Sequence, residues 1–174
     1  DAANEAVSSG WVADGTSTYS GGYETGETGT GGGLGNQGAV ISSQDKKYLL
    51  AVNPGSNNIS SLKITNSGLQ LLSTVSSGGT QPVSITQYGD IVYVLNSGGD
   101  GNISGFSFST NGALSPIANS TKPLSAIAAG AAQISFVQKG KVLAITEKAT
   151  NTITTYTIEN NGTPGVMHTL PSSN

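Results

Sequence analysis

An apolar run, a short polar turn, an alternating segment and a glycine follow one another three times along this chain. A repeat of that length limits the fold more tightly than any single residue does. The apolar runs are Leu49-Leu50-Ala51-Val52-Asn53, Val92-Tyr93-Val94-Leu95-Asn96 and Leu143-Ala144-Ile145-Thr146-Glu147. The alternating segments run from Asn58 to Ile64, Asn102 to Phe108 and Thr152 to Ile158; the glycines are Gly68, Gly112 and Gly162, spaced 44 and 50 residues apart. Period-two alternation marks strands that bury one face. A repeat of about 40–50 residues built from such strands points to four-stranded propeller blades.

Each repeat predicts four strands: about 39–43, 47–53, 58–64 and 69–75, then 83–87, 91–96, 102–108 and 113–118, then 132–137, 141–147, 152–158 and 164–169. Gln44-Asp45-Lys46, Tyr88-Gly89-Asp90 and Gln138-Lys139-Gly140 have the small polar or glycine-bearing character of tight hairpin turns. The innermost strands border a channel and are expected to be small and apolar, as Gly38-Ala39-Val40-Ile41 is. Ile59, Leu62 and Ile64, with Ile103, Phe106 and Phe108, are expected partly buried between sheets. Residues 1–24 read as the last two strands of a preceding blade, with Gly15 in the place of Gly68, although Asn4 to Gly10 lacks the alternation of the other third strands. The expected division is 1–28 for those strands and 29–80, 81–129 and 130–174 for three blades.

Two strands and three sets of four make three and a half blades, half of a seven-bladed ring. An isolated half ring would expose an apolar sheet face at each end. A second half-propeller is therefore expected, from a missing segment, a companion chain or a symmetry mate.

Composition supports an all-β class and excludes several partners. Only 10% of the 174 residues are charged, none is arginine, and Gly, Ser, Thr and Asn abound at the expense of helix formers. Seven lysines scattered through a chain of net charge −3 make no basic stripe, so nucleic acid is not expected. No apolar run approaches the roughly 20 residues of a membrane span, and no basic-then-apolar leader opens the chain, so no membrane partner is expected. With no cysteine there is no disulfide framework or thiolate zinc site; no metal or cofactor is expected. Acceptor sequons at Asn58, Asn102, Asn119 and Asn161 fall in predicted turns or at strand edges. They point to a secreted glycoprotein, with a cytoplasmic location as the alternative.

Four stretches carry a family resemblance: Gly33-Leu34-Gly35-Asn36-Gln37-Gly38-Ala39-Val40, Leu50-Ala51-Val52-Asn53-Pro54-Gly55-Ser56-Asn57, Ser77-Gly78-Gly79-Thr80-Gln81-Pro82-Val83-Ser84 and Thr146-Glu147-Lys148-Ala149-Thr150-Asn151-Thr152-Ile153. Over about residues 29–165 the chain resembles the amino-terminal half of lactonase-type seven-bladed propellers, which include 6-phosphogluconolactonases and 3-carboxymuconate-lactonising enzymes. The resemblance implies the propeller fold more firmly than it implies a chemistry, because propellers host many activities.

Under that resemblance Glu147 corresponds to an acid at the entrance of the central channel, able to act as general acid or base with a pKa raised by partial burial. Asn53 and Asn96 occupy the same place in the other two repeats, so the repeat itself does not demand a carboxylate there. The competing reading of Glu147 is a turn carboxylate that accepts backbone N–H bonds or pairs with Lys148. Asn53, Asn96 and Gln81 are the expected substrate-binding residues. The resemblance also implies histidine and arginine at the channel mouth, but Gln81-Pro82 stands where His-Pro is common and the single histidine, His168, falls in an outer strand. The cationic groups of a lactone site are accordingly expected from the absent half.

Other motifs resolve to structure. Gly33 to Gly38 fits G-x-G-x-x-G but precedes a strand instead of opening a helix, so it reads as a loop that approaches the ring axis closely. Ser97 to Asn102 offers one carboxylate, a thin set for calcium, and reads as a hairpin turn. Tyr93, Phe106, Phe136 and Tyr156 sit where blade cores need volume. The expected function is a lactonase-like propeller that hydrolyses or forms a lactone of a small acidic metabolite. The alternative is a non-catalytic secreted propeller that holds a glycan or a protein.

Overall fold

The computed structural model describes residues 3–172; residues 1–2 and 173–174, which the expected blade boundaries include, lie outside the described residues. Strands account for all its regular structure: β1 (Ala3–Trp11), β2 (Ser17–Thr28), β3 (Val40–Ser42), β4 (Tyr48–Asn53), β5 (Asn58–Thr65), β6 (Gly68–Ser76), β7 (Thr80–Tyr88) and β8 (Ile91–Gly98) in the first part of the chain. They are followed by β9 (Asn102–Phe108), β10 (Leu114–Pro116), β11 (Lys122–Pro123), β12 (Ala131–Val137), β13 (Val142–Glu147), β14 (Thr152–Ile158) and β15 (Pro164–Pro171). Every pairing is antiparallel between chain neighbours, apart from β11, which returns to β9. The sheets are β1-β2, β3-β4-β5-β6, β7-β8-β9-β10 with β11, and β12-β13-β14-β15, a succession of three and a half blades.

The alternation in β8 explains how the blades stack. Val92 and Val94 point into one core with Tyr48, Leu50, Ile59, Ile85 and Phe106, while Tyr93 and Leu95 point into the next with Ile103, Ile134, Leu143, Ile145 and Tyr156. The middle sheet is therefore buried on both faces, and each fully buried aliphatic side chain contributes about 1.5–3 kcal/mol. The inner strands meet along a common line: Ile85 N donates to Gly38 O at 2.9 Å, Ile134 N to Ser84 Oγ at 3.2 Å and Phe136 N to Thr86 Oγ1 at 3.2 Å. Hydroxyls of β7 thus satisfy edge amides of β12. The glycines of the repeat close the outermost hairpins with left-handed backbone: Gly15, Gly68, Gly112 and Gly162 have φ of 84°, 120°, 86° and 81°.

Three details differ from the sequence reading. The outer strand expected over 113–118 is shortened to β10 and followed by the short β11; Ile117 N still donates to Gly105 O at 2.9 Å, and Ser120 Oγ bridges to the same residue, accepting from Gly105 N at 3.0 Å and donating to Gly105 O at 3.1 Å. Ile59 and Leu62, expected partly buried, are fully buried, while Ile64, near the end of β5, is 40% exposed. The segment from Asn4 to Gly10, without alternation, nevertheless forms most of β1, with register shifts between Ala3 and Glu5 and between Ser8 and Ser9.

Candidate functional site

At or near the end of the second strand of every complete blade stands a polar residue, Asn53, Asn96 or Glu147; Asn96 and Glu147 meet the connection arriving from the preceding blade, and Asn53 meets β1 and β2. Asn53, fully buried, accepts from Thr25 Oγ1 at 2.6 Å and Asn4 Nδ2 at 2.8 Å and donates to Ser60 Oγ at 2.8 Å. Asn96, also fully buried, donates from Nδ2 to Ser77 O at 3.2 Å and Asn102 Oδ1 at 2.8 Å. Glu147 is 2% exposed; it accepts from Ser125 N at 3.1 Å, from Ser125 Oγ through a short contact and from Thr150 Oγ1 at 3.0 Å. Its negative charge, after burial itself, helps push the Tyr156 phenol above its ordinary pKa. Lys148 does not pair with it; the ammonium donates instead to Gly35 O at 2.7 Å.

Gln81 differs from these three. It is the second residue of β7, with an exposed side chain and a left-handed φ of 53°, its backbone N held by Asn57 Oδ1 at 2.7 Å. The four expected ligand-facing residues occupy one end of the blades, but none of them lines the clefts described next, and only Gln81 has a side chain free to meet a solute. His168 stands on β15, the outermost strand of its sheet, opposite Thr155.

Two clefts flank the segment 29–39 that joins β2 to β3. The larger, about 850 Å³, lies between β1 and the first full sheet and is walled by Ala6, Val7, Ala39, Val40, Leu49 and Ala51. Its position is where the two-stranded sheet lacks an inner pair, so its apolar lining reads as an unfilled blade core instead of a ligand pocket. The smaller, about 440 Å³, is polar: Asn36 and Gln37 face Gln133, Thr146 and Lys148. Sequence inspection missed this second cleft. Residues 35–38 pass along the inner edges of β7 and β12, with Gln37 N donating to Ala132 O at 3.2 Å, and so reach a blade two sheets away. The run of glycines announced a close approach to the axis, but nothing periodic announced the partner.

The comparisons agree with this geometry. The family described as Lactonase, 7-bladed beta-propeller matches residues 15–127, more than half of the chain. A comparison with curated protein sequences returns no match. Among solved structures, a protein from Lactobacillus plantarum is similar over 96% of this chain and 51% of its own, with 17% identity and a TM-score of 0.73. A functionally unknown protein from Desulfotomaculum acetoxidans is similar over 91% of this chain and 49% of its own, at 20% identity and a TM-score of 0.65. The periplasmic gluconolactonase of Pseudomonas aeruginosa is similar over 75% of this chain and 38% of its own, at 17% identity and a TM-score of 0.61. The chain thus spans about half or less of the length of these structures, and at such identities the likeness speaks for fold alone. Among the described residues no helix is long and apolar enough to cross a membrane. Four-stranded meanders stacked face to face, inner strands meeting on one line and the matched family converge on one assignment: the chain belongs to the lactonase family of seven-bladed β-propellers.

Proposed function

We propose that this chain is half of a propeller that opens or forms the lactone ring of a small acidic metabolite, at the end of the blades where the second strands finish. The family match over residues 15–127 carries this reading. Lactone hydrolysis needs a water aimed at the carbonyl carbon, a group to take its proton and donors for the developing oxyanion. Gln81 and Lys148 offer donors at the proposed end of the blades; His168 is too far out in its sheet to serve, so the proton-transfer group comes from the complementary half. Glu147 enters as the residue that fixes the 124–130 connection beside the site. For a direct proton role its carboxylate would have to leave Ser125 and Thr150.

The complement is a further segment, a companion chain or a symmetry mate. β1-β2 occupies the outer two positions of its blade, so a closed ring needs an inner pair from elsewhere. The secreted location belongs to the same proposal and rests on the four sequons. The test is an assay of the complete protein with 6-phosphogluconolactone, gluconolactone and muconolactone. Ring opening of an acidic lactone is the expected result, and absence of turnover on all three would replace the enzyme with a binding scaffold.

A further inference from the structure

We propose that the polar cleft between residues 34–37 and the third full sheet is an oxyanion subsite, in which Lys148 receives a carboxylate or phosphate group of a small ligand. This deepens the proposed function, because it places a cationic group on this half of the ring, where only the complement was expected to supply one.

Lys148 is exposed at the rim of this cleft, and its ammonium is short of partners. An ammonium has three donors. Only one is engaged, at Gly35 O, and among the described residues no carboxylate lies within ion-pair distance of Lys148. Glu147, the neighbour in sequence, turns to the opposite face of the strand and spends its oxygens on Ser125 and Thr150. The backbone that carries Lys148 is fixed, with its N–H on Gly130 O at 2.9 Å and the next on Ala129 O at 3.0 Å. Across the cleft stand the side-chain amides of Asn36 and Gln37. Gln133 and Thr146 complete a wall able to donate hydrogen bonds. A planar or tetrahedral oxyanion supplies what these groups lack: acceptor oxygens and a negative charge.

The cleft volume, about 440 Å³, suits a substituted sugar acid and not a macromolecule. Carboxylate and phosphate share the required chemistry, and titration separates them. The complete protein and its Lys148→Gln variant are titrated by calorimetry with inorganic phosphate and with gluconate. Wild type is expected to bind at least one of the two, and Lys148→Gln to weaken that binding about tenfold or more, equivalent to about 1.4 kcal/mol. Lys139→Gln, in the turn at the other end of β12, removes the same charge and is expected to change nothing. Heat from phosphate alone assigns a phosphate subsite, and heat from gluconate alone a carboxylate one. No heat from either anion, or equal weakening by both variants, overturns the proposal. Turnover does not enter this measurement, so an inactive protein that binds an anion through Lys148 would refute the lactonase reading and leave the subsite standing.

Discussion

Replacing Glu147 separates an anchoring carboxylate from a catalytic one. Its three hydrogen bonds hold one backbone amide and two hydroxyls, at 2% exposure. Each charge-assisted bond contributes about 1.5–3 kcal/mol, but the two hydroxyls can rotate towards water or a carbonyl when the carboxylate goes. The Ser125 amide cannot. Glu147→Ala is therefore expected to destabilise the 124–130 connection by about 3 kcal/mol, a sum dominated by the amide with smaller contributions from the hydroxyls. Glu147→Gln keeps one acceptor oxygen for Ser125 N–H and presents an NH₂ to hydroxyls that can turn to accept, so about 1 kcal/mol is expected.

Amide hydrogen exchange on the complete protein reads this locally, without needing two-state unfolding of a many-bladed ring. A 3 kcal/mol loss accelerates exchange at Ser125 and its neighbours by about 100-fold in the alanine variant, and about 1 kcal/mol by roughly fivefold in the glutamine variant. Amides of the first full sheet, such as Ile59, should not respond. Unchanged protection across 124–130 in Glu147→Ala would refute the anchoring role. If Glu147→Gln also lost lactone turnover by a thousandfold or more while its protection stayed native, the carboxylate would be moving protons.

Three further outcomes follow from the same structure. Tyr93 is buried and donates to Gly162 O at 2.6 Å; burial holds its phenol far above the ordinary value of 10. Its contribution is full below pH 10, where neither state ionises, and falls as pH rises further because the unfolded chain ionises first, by up to about 1.4 kcal/mol per pH unit. Tyr93→Phe should lose about 1 kcal/mol at pH 8, and its deficit against wild type should shrink in thermal melts at pH 11. Gly112→Ala and Gly15→Ala impose alanine on nearly the same φ, 86° and 84°, but a Cβ at Gly112 would stand 2.7 Å from both Leu72 Cδ1 and Tyr48 Cε1 while one at Gly15 meets nothing within 4 Å. Denaturant melts should show about 1 kcal/mol lost at Gly15 and about 2–4 kcal/mol at Gly112. In a glycosylating host, peptide mapping should find sugar on the exposed Asn119 and Asn161 and none on Asn102, whose amide is held by Asn96 Nδ2 and donates to Gly78 O.

The blade architecture was legible because strand burial imposes a period on the sequence: Val92 and Val94 had to differ in direction from Tyr93 and Leu95 whatever the ligand. The turn glycines were legible for the same local reason, a φ that other residues resist. The polar cleft was not. It depends on Gly35 meeting Lys148, 113 residues apart, through a segment whose glycines permit many paths and select none. The break between β10 and β11 was hidden too, since Ser120 imitates a ladder residue with its side chain and leaves no mark on the alternation.

The single departure at the end of the second strands, glutamate where the other repeats have asparagine, has an explanation in what each residue meets. At Asn96 the incoming connection presents the carbonyl of Ser77, and an amide NH₂ answers it. At Glu147 the connection presents an N–H and a hydroxyl from Ser125, two donors on one residue, which a carboxylate answers with two acceptor oxygens. Asn53 lies between these cases, accepting from Asn4 and Thr25 on one atom and donating to Ser60 from the other. At Asn96 and Glu147 the side chain therefore follows the polarity of the connection that crosses it, while at Asn53 it answers strands β1, β2 and β5. A carboxylate that looks out of place against its repeat mates is accounted for by Ser125 and Thr150, and its neighbour Lys148 carries a charge with no ion-pair partner among the described residues.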